Sequence, residues 1–99
     1  MNQATDDDET PLFIATRECR EPVVRLLLEK GAAVNRATID DMTPLHFAAT
    51  MGHLGLVQAL LKKGGDINRT NRAGLTPLTI ARQIGHDEVM LALEAAMPH

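Results

Sequence analysis

A chain of 99 residues suffices for one domain with a modest core; 44% hydrophobic content argues against disorder, and aromatics are only 2%. A formal net charge of −3 with scattered Lys and Arg leaves no footprint for nucleic acid. The lone Cys19 rules out an internal disulfide and suits a reducing compartment, no apolar run approaches the ~20 residues that span a bilayer, and the acidic start, Met1 to Glu9, is no secretory signal.

In chain order, the pattern begins part-way through a unit. Asn2-Gln3-Ala4-Thr5 align with Asn35-Arg36-Ala37-Thr38 at an offset of 33. Residues 2–9 therefore read as the tail and hairpin of a partial preceding unit; the segment is expected to have been cut from a longer array, the alternative being that the natural protein begins there. Thr10-Pro11-Leu12 opens the first full unit, about residues 10–42. Threonine is well placed as an N-cap, accepting a backbone N–H of the first turn, and the following Pro sits where a missing N–H costs nothing. Pro22 falls at the start of this unit's second helix, where the same argument tolerates it.

The second unit, 43–75, gives the clearest elements. Thr43-Pro44-Leu45-His46-Phe47-Ala48-Ala49 predicts a short helix near Pro44 to Met51, with small Ala48 and Ala49 allowing a neighbour close. After Gly52-His53, Leu56, Val57, Leu60 and Leu61 recur at helical spacing, predicting a second helix near Leu54 to Lys63. Gly31 and Gly64 follow the second helices of their units, where a left-handed residue is wanted. The third unit, 76–99, changes character: Arg82 stands where Ala49 does, and Glu94 where Leu28 and Leu61 do. A terminal repeat needs such a polar outer face because no neighbour covers it. The C-terminus is therefore expected to be a true array end, and the first unit an interior repeat.

The threonines set the period, since 43 − 10 and 76 − 43 both give 33. Gly31 with Gly64, Asn35 with Asn68, Ala15 with Ala48 and Ala81, and Gly52-His53 with Gly85-His86 keep it. So many markers at one offset define a tandem repeat. A 33-residue period with Thr-Pro-Leu-His-x-Ala resembles the ankyrin repeat. The likeness covers roughly residues 2–96, within a domain read as 1–99. It departs at Phe13 and Thr79 in place of His46, at Cys19-Arg20 in place of Gly-His, and at Asp8 and Asp41 in place of Gly74; these changes are expected to weaken individual turns. The resemblance implies an all-α solenoid of stacked helix-turn-helix units joined by β-turn or hairpin loops.

Candidate chemistry is thin. His53 and His86 hold equivalent places about 10 Å apart if units stack as packed helices, too far to share a metal ion ligated at ~2 Å. They read as turn histidines bonding the backbone, and His46 as a partner for polar groups around the Thr43 cap. Cys19 has Arg17 and Arg20 nearby, but no ordered His and acid make it a nucleophile. Asp6-Asp7-Asp8-Glu9 lacks the spacing and glycine of a calcium loop. Neither phosphate loop nor nucleophile elbow is present. No enzyme, no cofactor and no metal are expected.

What remains is a surface. The resemblance implies a protein-protein interaction module binding a partner through its hairpin tips and the exposed side of each first helix. Those positions are Asp6, Asp7 and Glu9; Ile39, Asp40 and Met42; Arg72, Ala73 and Leu75; and Arg17, Thr50, Met51 and Gln83 on the helices. The partner is expected to be another protein or an extended peptide segment, with no nucleic acid and no membrane, and the chain a cytoplasmic or nuclear monomer. Alternatives are a small ankyrin-type inhibitor of an enzyme such as a kinase, or the regulatory domain of a larger enzyme or channel. For Ile39, Met42 and Leu75 two readings stay open: a partner contact, or packing of hairpin on hairpin.

Overall fold

A computed structural model of the chain describes residues 10–97. Among them are six helices and no strand: α1 (Pro11–Arg17), α2 (Glu21–Glu29), α3 (Pro44–Met51), α4 (Leu54–Lys62), α5 (Pro77–Ile84) and α6 (Asp87–Ala96). Each unit is an antiparallel pair. The first helices α1, α3 and α5 stack in one layer, and the second helices α2, α4 and α6 in another. The chain is all-α, and the expected boundaries hold to within a residue, with Lys63 capping α4 rather than ending it.

Local chemistry starts each first helix. Thr10, Thr43 and Thr76 accept the backbone N–H groups of Phe13, His46 and Thr79, each followed by proline at the first helical position. In the second unit the cap is doubled. His46 Nδ1 accepts the Thr43 N–H at 3.1 Å while Thr43 Oγ1 accepts the His46 N–H at 3.3 Å. Its Nε2–H donates to the Leu75 carbonyl at 3.0 Å, tying α3 to the loop that enters the third unit. His46 is 0% exposed, and burial lowers its pKa from the ordinary 6.5, against the raising influence of the Leu75 carbonyl.

The turn between paired helices needs a left-handed residue. Gly52 and Gly85 supply it at φ 69° and 95°, and Cys19, at the same repeat position, holds φ 59° without being glycine. Asp41 does the same at φ 60° where the next unit has Gly74 at 81°. The departures from the repeat pattern thus keep the backbone course and carry the steric cost of a side chain in that region.

The core runs without a break through the stack, built from Leu12, Val24, Leu28, Leu45, Leu56, Val57, Leu60, Ile80, Val89, Leu93 and interleaved alanines. Ala48, Ala49 and Ala81 are wholly buried, where small side chains let the first helices approach. Polar stitches run along the loops: Asn35 Oδ1 accepts the Asp66 N–H at 2.7 Å and Asn35 Nδ2 donates to the Gly64 carbonyl at 3.1 Å. The two ends of the stack differ. At the third unit Arg82 and Glu94 are exposed and pair at 3.8 Å across α5 and α6. At the first, Val23 is 40% exposed although its counterparts Leu56 and Val89 are 0% and 1%.

Candidate protein-interaction surface

The loops between units end in tight tips built alike. In the second, Thr38 N–H donates to the Met42 carbonyl and Asp41 N–H to the Thr38 carbonyl, both at 2.9 Å. In the third, Asn71 N–H donates to the Leu75 carbonyl and Gly74 N–H to the Asn71 carbonyl, again at 2.9 Å. A side chain braces each tip from inside. Thr38 Oγ1 accepts from Asp40 N–H and Met42 N–H at 3.3 Å, and Asn71 Oδ1 from Ala73 N–H and Leu75 N–H at 2.9 and 3.0 Å. Threonine and asparagine suit this place because a short side-chain acceptor mimics a backbone carbonyl.

The two tips are bonded to each other. Arg72 Nη2 donates to the Ile39 carbonyl at 2.8 Å, and Arg72 N–H donates to the Asp40 carbonyl at 3.1 Å. Asn71 Nδ2 contacts Met42 Sδ at 3.3 Å. Arg72, picked from the sequence as a partner-facing position, bonds the neighbouring tip through its guanidinium.

The structure places the three apolar residues differently. Leu75 packs against the core. Met42 is half-buried and receives the asparagine. Ile39 is 53% exposed at the head of its turn.

Between the second tip and the first-helix layer lies a cleft of about 270 Å³, lined by Phe13 and Arg17 of α1, Phe47 of α3, and Thr38, Ile39, Asp40 and Met42. It brings together four of the residues picked from the sequence: Arg17, Ile39, Asp40 and Met42. Arg72 and Ala73 are exposed on the adjoining tip, and Gln83 on α5 lies outside the cleft. Thr50 is half-buried; its hydroxyl donates to the His46 carbonyl at 2.9 Å and its own carbonyl accepts from His86 Nε2 at 3.1 Å. Met51 packs against the core beside Cys19 Sγ, 3.4 Å from its Sδ. Asp6, Asp7 and Glu9 lie outside the described residues.

Sequence reasoning passed over Phe13 and Phe47. They are the chain's two aromatics and lie on adjacent units, edge to face with centroids 5.4 Å apart and planes at 70°. Their separation, 47 − 13 = 34, is one more than the period. That near-match was the available signal, since it sets both rings on neighbouring first helices.

The histidines behave as turn residues. His53 Nδ1 accepts the Leu56 N–H at 3.2 Å, and the His86 ring covers Gly52 while bonding Thr50. Among the described residues no three His, Cys, Asp or Glu side chains are grouped to hold a metal, and no helix is long and apolar enough to cross a membrane. A family model described as ankyrin repeats (3 copies) matches residues 1–71. A search of curated proteins gave no match.

Proposed function

Starting from the premise that this chain belongs to the ankyrin-repeat family, we propose that it binds a partner protein through its hairpin tips and the face of its first helices, without catalysing a reaction. Ankyrin repeats are generally protein-protein interaction modules. The observation that carries the reading is the cleft beneath the second tip, where two helices and a braced loop converge on an apolar floor with one charged rim. Inter-tip bonds from Arg72 support it, because a surface already ordered spends little free energy on binding. The same reading makes the chain a monomer that stays off membranes, in the cytoplasm or nucleus.

The test is a calorimetric titration of a captured protein partner with wild type and folded variants. Combined Ile39→Ala and Met42→Ala should weaken binding by about 1–3 kcal/mol, between ordinary contacts and hot spots. Gln58→Ala, on the outer helix α4, should leave affinity unchanged. The opposite pattern would move the interface to the second-helix layer.

A further inference from the structure

Going deeper into that reading, and resting on it, we infer that the cleft beneath the second tip takes one large apolar side chain of an extended partner segment with a lysine or arginine beside it, held by Asp40. Size decides the first part. About 270 Å³ sits at the small end of the roughly 300–1,000 Å³ typical of small-molecule clefts, and has room for one large side chain. The lining is the chemistry such a side chain seeks: two phenyl rings fixed edge to face, the Met42 thioether and the exposed Ile39. An apolar residue at the head of an exposed turn is otherwise costly, and the next unit carries Arg72 at that repeat position.

Charge decides the second part. Two ionisable residues line the cleft, Arg17 and Asp40. Arg17 is already engaged in an interaction of its own. Asp40 uses its backbone N–H on Thr38 and its carbonyl on Arg72, while its carboxylate has no hydrogen-bond or ion partner among the described residues. Asp41 stands next to it, exposed. Both guanidiniums near the rim, Arg17 and Arg72, are thus engaged, and the Asp40 carboxylate is left as the acceptor for a cation beside the apolar anchor. An extended segment fits best, because residues two apart share one face, so one can reach the floor while the other reaches the rim.

The experiment pans a phage-displayed library of random heptapeptides on the folded 99-residue chain, then titrates enriched peptides by fluorescence polarisation. Enriched peptides should pair a Phe, Leu, Met or Trp with Lys or Arg within two positions. Ile39→Asp should weaken them at least tenfold, and Asp40→Lys should weaken them and reverse the preference toward acidic peptides. Both sites are exposed, so circular dichroism should find each variant folded.

Peptides indifferent to both substitutions overturn the inference. If they still respond to Gln83→Ala or Ala73→Glu, the wider tip-and-helix surface stands; if they respond to none, that reading falls too. Enrichment of acidic peptides on wild type, or no enrichment over background, also overturns the inference. So does a dimer in sedimentation that Ile39→Asp dissociates, since a second copy would then fill the cleft.

Discussion

Three equivalent turns, at positions 19, 52 and 85, isolate the energetics of a left-handed residue. Cys19 holds φ 59° with a side chain present; Gly85 holds φ 95° with nothing within 4 Å of the place a methyl would take; Gly52 holds φ 69° with the His86 ring 2.5–2.7 Å from that place. A side chain in this region costs about 1–2 kcal/mol, and a new glycine returns about 0.4–1 kcal/mol of that to the unfolded chain as entropy. Cys19→Gly should therefore stabilise the fold by about 0.5–1 kcal/mol, or roughly 2–8 °C in Tm for a domain of this size. Loss of the exposed Cys19 contact with Met51 trims the gain slightly. Gly85→Ala should cost about 1 kcal/mol on backbone grounds alone. Gly52→Ala should cost more, because the His86 ring must move and its bond to Thr50 goes with it. Urea denaturation followed by circular dichroism gives all three numbers. If Cys19→Gly destabilises the protein as Gly85→Ala does, or the two alanine variants cost the same, this account of the turns is wrong.

Two further outcomes are expected. His46 is buried and neutral with a lowered pKa, so its contribution is complete above the unfolded value near 6.5 and is lost as pH falls through the folded value. The urea midpoint of wild type should fall between pH 7.5 and pH 5 by more than that of His46→Asn, and equal falls would remove His46 as the cause. The second outcome concerns the end of the stack. Arg82→Ala with Glu94→Leu gives the third unit the residues of the second, Ala49 and Leu61, and so an interior face matched to exposed Val23 and half-buried Leu27 at the other end. Such head-to-tail complementarity does not close on itself, so sedimentation should find concentration-dependent chains of molecules. A doubly substituted protein that stays monomeric would mean the two ends do not match.

The repeat period, the six helices, the threonine caps and the polar third unit were all legible in the sequence, because each rests on interactions within one turn or one register position. A Thr-Pro pair ahead of a helical pattern marks its start, and a glycine just past the helix end supplies the left-handed residue, both from local geometry. Even the odd residues spoke locally: Cys19 and Asp41 replace glycine in their rows, and the backbone takes the left-handed course there regardless. Tertiary structure alone decided which apolar tip residue is buried by packing and which stays exposed. Ile39, Met42 and Leu75 look alike in the chain, yet Leu75 joins the core, Met42 meets Asn71 from 29 positions away, and Ile39 stays at the surface. It alone placed Arg72 on the Ile39 carbonyl and set Phe13 against Phe47 beneath the tip. The physical reason is reach: capping and helical spacing are settled within four residues, whereas a cleft is made by groups a whole repeat apart, whose meeting depends on the stacking distance and tilt of units that no single unit encodes.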